Sequence, residues 1–328
     1  MYEKKTVTVI GGANMDINGF SAEPLNMGDS NPGRIEYCPG GVGRNIAENL
    51  HRLGVKTRFI GVIGNDPGGE FIKKSSAEIG LDISHSFFPI NRERATSVYL
   101  ALSDSDGSLK LALADMEIME QMTTETLESK TGIISQSEIL VLDANLPEKI
   151  LDYLTEHYGG IDRNEITDRN GRNPIIFFDA VSERKAPKAA SRLSSFHTLK
   201  LGRMEASVLS GIDLTGEVSS LLNEKLKQAA GWFIGKGLGR IFITLGKDGI
   251  YYADAKKSFY TPVQYVKPVN TSGGGDAFMA GIIYGTLEGW DEETIVRFSL
   301  AMAKITVQCR FAVDPRMNLE LVRGNMVH

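Results

Sequence analysis

The 328-residue chain holds only two cysteines, Cys38 and Cys309, and five histidines, all scattered. No pair of them has the spacing of a zinc site and no disulfide framework can be drawn, so structural zinc is excluded and a reducing compartment is expected. A strong charge of one sign is also missing. Lys and Arg number 36 against 41 Asp and Glu, a formal net charge of −5, and no basic run exceeds a pair. Neutralising phosphates needs clustered positive charge, so nucleic acid is excluded as a standing partner. Long apolar runs are absent too. No stretch approaches the ~18 residues of a membrane helix. The apolar run in MYEKKTVTVIGG is too short for a signal-peptide core. The expectation is a cytoplasmic protein without membrane contact.

What is there is ordinary material for a core: 42% apolar and 23% charged residues, in a length that permits one large α/β domain or two smaller ones. TVTVIG (6–11) reads as a buried strand. Residues 16–38, broken by Pro24, Pro32 and Gly33, read as loop or short edge strands. PGGVGRNIAENLHRLG follows, with Ile46, Ala47, Leu50 and Leu53 on one helical face and Gly54 as its stop. TRFIGVIG (57–64) is another strand, and TSVYLAL and LKLALA flank the turn composition DSDGS as a hairpin. From there ILVLDA (139–144), IIFFDA (175–180) and IFITLG (241–246) alternate with helices near 147–158 and in EVSSLLNEKLKQAAGWFI. Two further helices, 274–288 and 292–308, close the pattern. Apolar strands alternating with helices imply a mostly parallel sheet covered on both faces. The early hairpin and edge strands fall outside that rhythm and read as a small β lid, from segments near 16–38 and 95–118. No repeat or low-complexity linker appears, which favours one domain over residues 1–328. The polar insert 159–173 reads as an exposed loop.

The stretch NTSGGGDAFMAG (270–281) carries the most chemistry. Glycine lets backbone N–H groups approach a ligand closely, and a helix N-terminus offers unpaired donors and partial positive charge. Gly273, Gly274 and Gly275 therefore suit an anion such as a transferring phosphoryl group. Asp276 beside them would repel phosphate unless it had a task, and the natural task is to accept a proton from an attacking hydroxyl. The plainer alternative is a flexible turn with Asp276 as its N-cap. Other glycine motifs fail on context. GVGRNIA (41–47) does not follow an apolar strand and lacks the acidic residue of a dinucleotide fingerprint. GKG (235–237) lacks the hydroxyl residue of a phosphate loop, and SERK (182–185) stands without companion motifs.

In order, GGANMDINGF, CPGGVGRNIAENLHRLG, TLGKDG and NTSGGGDAFMAG resemble the ribokinase (PfkB-type) family of sugar and nucleoside kinases, over about residues 6 to 310. The resemblance implies a three-layer ribokinase-like fold with a small β lid, and ATP-dependent phosphorylation with Mg2+. Within the family, DSNPGRIEYCPGGVGRNIAENL and HTLKLGRMEASVLSGI most resemble the branch that acts on the 5′-hydroxyl of pseudouridine. By the same resemblance, Asp276 is the base and Gly273, Gly274 and Gly275 the anion hole. Asp16 and Asn14, with Gly41 and Asn45, meet the ribose; a carboxylate accepting from a vicinal diol is sound chemistry for Asp16. Ser30 and Asp115 contact the nucleobase. Thr244, Gly246, Gly249, Lys200 and Arg203 serve ATP, and Glu205 holds magnesium through water.

Three positions depart from the pattern. Gly202 replaces the Asn of an Asn-x-x-Glu motif, with Arg203 as a possible substitute toward phosphate. Asn270 replaces the Asp that opens the late signature, which leaves activation by potassium open. Gly274 replaces Ala. Another ribonucleoside, free ribose, or a low-turnover binding protein remain alternatives, as does a homodimer through the lid.

Overall fold

The computed structural model describes residues 5–89, 94–160, 173–216 and 220–326. Its twelve strands are β1 (Thr6–Ile10), β2 (Asn14–Ser21), β3 (Gly33–Gly40), β4 (Lys56–Ile60), β5 (Val98–Ser103), β6 (Leu109–Asp115), β7 (Ile139–Asp143), β8 (Ile175–Asp179), β9 (Thr198–Gly202), β10 (Arg240–Thr244), β11 (Ile250–Asp254) and β12 (Ser258–Thr261). They form an eight-stranded sheet in the order β12-β11-β10-β9-β8-β7-β1-β4 and a four-stranded sheet in the order β3-β2-β5-β6. From β10 to β4 every pairing is parallel, and β11 and β12 add an antiparallel edge. Strands buried on both faces carry no alternation, which is why β7 and β8 run ILVL and IIFF without a polar residue before their terminal Asp.

The helices are α1 (Val42–Arg52), α2 (Pro67–Ile79), α3 (Thr124–Glu128), α4 (Thr131–Ile134), α5 (Glu148–Tyr158), α6 (Arg203–Ser210), α7 (Ser220–Gly235), α8 (Gly274–Glu288), α9 (Glu292–Val307) and α10 (Leu319–Asn325). They sandwich the large sheet. One core, around Leu140, Phe178, Leu199 and Ile241, takes α5 and α7. The other, around Val9, Phe177 and Phe242, takes α1, α8 and α9. The three-layer ribokinase-like architecture expected from the sequence is the one found. Helix α8 is apolar nearly all round because α1 and α9 cover it on two sides.

Some elements differ from expectation. Residues 16–38 are no loose edge: β2 and β3 are eight residues each and pair antiparallel over their whole length, from Asn14–Gly40 to Ser21–Gly33. Helix α2 lacked a reading altogether, although its signals are local: Asp66 accepts from Gly69 N at 2.8 Å, Pro67 opens the first turn, and Gly80 closes it at φ 76°. Asp66 also accepts from Thr96 N at 2.6 Å and Thr96 Oγ1 at 2.7 Å, which ties the chain entering β5 to α2 and anchors the small sheet on the large one. Most of the insert 159–173 lies outside the described residues. No helix among the described residues is long and apolar enough to cross a membrane.

Candidate functional site

Both glycine signatures sit at helix starts, and the fold brings those starts together. Gly41 caps α1 at φ 98°, where a Cβ would stand 2.4 Å from the Gly12 carbonyl oxygen. Gly273 caps α8 at φ 79°, where a Cβ would stand 1.9 Å from the Ala312 carbonyl oxygen. Only glycine takes both the left-handed backbone and the close approach. Two positive helix ends thus face one space.

Asp276 lies in the first turn of α8 and makes no capping bond, so the plain N-cap reading fails. Its Oδ2 instead accepts from Asn45 Nδ2 of α1 at 2.8 Å. Asn45 Oδ1 is buried and has no hydrogen-bond partner among the described residues, leaving an acceptor turned into the same space. Burial pushes the Asp276 carboxyl up to about 7, with Asp179 adding to the rise and Lys200 and the Asn45 hydrogen bond opposing it. An acid held near neutrality is suited to taking a proton and releasing it.

Below this junction the sheet contributes a charged row that sequence reading missed in part. Register sets Asp143 of β7 beside Asp179 of β8, both at the C-terminal ends of parallel strands, and Asp179 beside Lys200 in the middle of β9. Ligands in open α/β sheets gather at that edge. Lys200 Nζ donates to Asp179 Oδ2 at 2.8 Å. Asp143 Oδ2 accepts from Gly12 N at 2.9 Å and Gly43 N at 2.8 Å, locking the turn after β1 to the start of α1. A signal existed: ILVLDA and IIFFDA each end a wholly apolar run with one Asp. Near Asp143, Asn145 accepts from Lys185 Nζ and lies against Gly12.

Asp16 stands on β2 across the opening, hydrogen-bonded to Asn14 Nδ2. Burial pushes its carboxyl up to about 6, against the Asn14 hydrogen bond and the Arg44 charge. By register Cys38 and Tyr99 share its face of the small sheet; Tyr99, half-buried, was not foreseen. Ser30 and Asp115 are corrections. Ser30 belongs to the turn beyond Ser21 and Gly33, five residues along the strand from Asp16, or about 17 Å at ~3.3 Å per residue. Asp115 pairs with Val98, which pairs with Met15, so the pleat sets it on the face opposite Asp16. Neither joins Asp16 within one chain.

Beyond the glycine turn lies a largely apolar cleft of about 290 Å³. Thr244, Gly246 and Gly249 line one wall, Phe278, Leu300 and Ala303 another, and Gly274 and Gly275 form its inner end. The cleft therefore runs into the turn that bears Asp276. Arg203 does not line the cleft; its guanidinium donates to Asp248 Oδ2 at 2.6 Å and to the Gly216 carbonyl at 2.7 Å, so it braces the turn Gly246–Asp248. Glu205, in the first turn of α6, folds its carboxylate over Gly202, where any side chain would collide with it. Lys200 sits beneath Gly275 and away from the apolar cleft.

Comparison with known proteins bears on the fold and the family. The pfkB family of carbohydrate kinases matches over residues 4–317. The chain is 34% identical to a pseudouridine kinase of Escherichia coli (strain K12) over 321 residues, covering 97% of this chain and 96% of that protein. Among solved structures, a carbohydrate kinase from Agrobacterium tumefaciens superposes with a TM-score of 0.78 at 27% identity, covering 98% of this chain and 97% of that one. Arabidopsis thaliana ribokinase complexed with ribose and ATP shares the fold, with a TM-score of 0.75 at 19% identity and 98% coverage of both chains.

Proposed function

The chain belongs to the pfkB family of carbohydrate kinases, and from that premise we propose that it transfers the γ-phosphoryl group of ATP to the 5′-hydroxyl of pseudouridine. The observation that carries this reading is the Asp276 carboxyl, held by Asn45 where the two glycine-capped helix starts meet. Asp276 takes the hydroxyl proton as the 5′-oxygen attacks the γ-phosphorus. The bond from that phosphorus to the bridging oxygen breaks, and ADP leaves with the electron pair. The backbone donors of Gly273, Gly274 and Gly275 meet the charge spread over the moving group.

Asp16 accepts from the ribose diol, with Asn14 fixing its carboxylate and Gly41 and Asn45 forming the wall opposite. ATP places its adenine in the cleft between Thr244, Gly246, Gly249 and Phe278, with its phosphates toward Gly275. The small sheet acts as a lid that excludes water. Among the described residues no group of three or more His, Cys, Asp or Glu side chains could hold a metal ion by itself. Magnesium commonly uses one or two carboxylates plus substrate phosphates, and Glu205 beside the turn fits that share through water. When bound, the ion supplies charge neutralisation at the phosphates. The exposed apolar face of the small sheet, with Ile35, Tyr37, Leu111 and Leu113, suits a second copy of this chain. Two widely separated, unpaired cysteines fit the cytoplasm as the chain's location.

Identity to the E. coli pseudouridine kinase and the stretches 29–50 and 197–212 support this substrate over ribose or another ribonucleoside. The test is a panel of pseudouridine, uridine, other nucleosides and ribose with ATP and magnesium, following ADP release. Pseudouridine should give the highest kcat/KM. A preference for uridine or ribose would overturn the substrate, and binding without ADP release would favour a binding protein instead.

A further inference from the structure

The buried row under the glycine turn contains a cation that the transfer step described above leaves without a role. Lys200 is buried, its Nζ is 2.8 Å from Asp179 Oδ2, and a Cβ built on Gly275 would stand 2.9 Å from that same Nζ. A glycine at 275 is what leaves the ammonium room directly beneath the turn. The groups facing Asp276 are Asn45 from α1, Asp143 from β7, Asp179 from β8 and Lys200 from β9; Glu205 of α6 faces the lysine, and Lys185 faces Asp143. Three carboxylates thus surround one deeply buried ammonium. A buried ion pair is weak evidence of stability, because desolvation offsets its attraction. Its place beside the acid is better explained by what it does to that acid.

Resting on the reading of Asp276 as the base, we propose that Lys200 is a positioning residue for phosphoryl transfer: paired to Asp179 beneath Gly275, it sets the ionisation state of Asp276 and adds fixed positive charge behind the anion-binding turn. The direction of charge supports this. Burial would depress the Lys200 ammonium, yet Asp179 foremost, with Asp276, holds it above the usual lysine value, so it stays charged throughout the working range. The positive charge favours the carboxylate of Asp276, and Asp179 favours its protonated form. The two members of the pair therefore pull the base in opposite directions.

That opposition supplies the test: kcat/KM profiles against pH for the wild-type protein, Lys200→Met, Asp179→Asn and the double variant, with thermal melts to confirm folding. The wild-type rate should rise with pH through about 7 as Asp276 ionises. Without Lys200 the carboxylate is less favoured, so the rise should move to higher pH by about one unit or more. Without Asp179 it should move to lower pH. The double variant, which exchanges a buried ion pair for neutral groups, should fall between them. A merely structural role would lower the rate at every pH, or move both profiles the same way, and either result overturns the proposal. If Lys200→Met fails to fold, Asp179→Asn and the double variant decide it: the proposal stands on an acid shift in the first that the second reverses, and falls otherwise. Asp276→Asn separates the two levels. Turnover surviving in it defeats the base itself, whereas an inactive Asp276→Asn with unmoved Lys200 and Asp179 profiles defeats only the lysine's role.

Discussion

Replacing Gly273 by Ala perturbs the α8 cap in two ways at once. The residue sits at φ 79°, and forcing a side chain into the left-handed region costs about 1–2 kcal/mol. The new methyl would also lie 1.9 Å from the Ala312 carbonyl oxygen and 2.6 Å from its carbon, both backbone atoms that cannot rotate away. The turn or the 312 segment must shift. A displacement near 1 Å at a reacting centre costs about 100-fold in rate, and loss of one aligned anion donor costs about 100- to 1,000-fold in kcat. The neighbouring change Gly274→Ala is the control. Gly274 is not in the left-handed region, and its Cβ meets only the rotatable Val307 Cγ1, at 2.9 Å. Ala there should keep most of the activity and can add about 0.4–1 kcal/mol of stability. Steady-state kcat and KM, calorimetric nucleoside binding and thermal melts measure both variants. Gly273→Ala should lose at least about 100-fold in kcat while nucleoside binding persists, because Asp16 and Asn45 are untouched. Wild-type kcat in Gly273→Ala, or an equal loss in Gly274→Ala, would refute the reasoning.

Asp16 should impose its own pH dependence: its carboxyl, pushed up to about 6, takes a proton as pH falls through that value and loses an acceptor site. KM for the nucleoside should therefore climb below about pH 6, and Asp16→Asn should raise KM by roughly 10- to 100-fold and remove the dependence; a flat KM in the wild type would contradict it. Potassium should have little effect. Asn270 Nδ2 donates to the Arg310 carbonyl at 2.9 Å while its Oδ1 accepts from Ser272 N, so an amide already serves that carbonyl. Rates in potassium and choline buffers should agree, Asn270→Asp should introduce a potassium requirement, and strong potassium activation of the wild type would exclude the idea.

The large sheet was legible because short, β-branched or aromatic apolar runs such as ILVL and IIFF, alternating with helical patterns, read as doubly covered strands, and α1 and α8 because their glycines and apolar faces agree. The small sheet was harder to read. β2 and β3 carry Asn, Asp, Gly and Pro, which disfavour strands locally, and full cross-strand pairing outweighs that preference. Asp276, Asn45 and Asp16 stand in recognisable motifs, and the structure brings Asp276 and Asn45 into contact. Asp143, Asp179 and the position of Lys200 could not be read from motifs, since only strand register brings together residues 143, 179 and 200. Ser30 and Asp115 stand in segments that resemble a lid, and membership of the lid says nothing about distance along a strand or side of the pleat. Arg203 illustrates a third limit, because the Asp248 that occupies it lies 45 positions away.

The most direct test of the account is turnover and nucleoside affinity measured side by side in Asp276→Asn. The amide keeps the shape and can still bond to Asn45, but it cannot accept the hydroxyl proton. The account predicts a fall in kcat of about 100- to 10,000-fold with nucleoside Kd within a few-fold of wild type; near-wild-type kcat, or affinity lost along with rate, would contradict it.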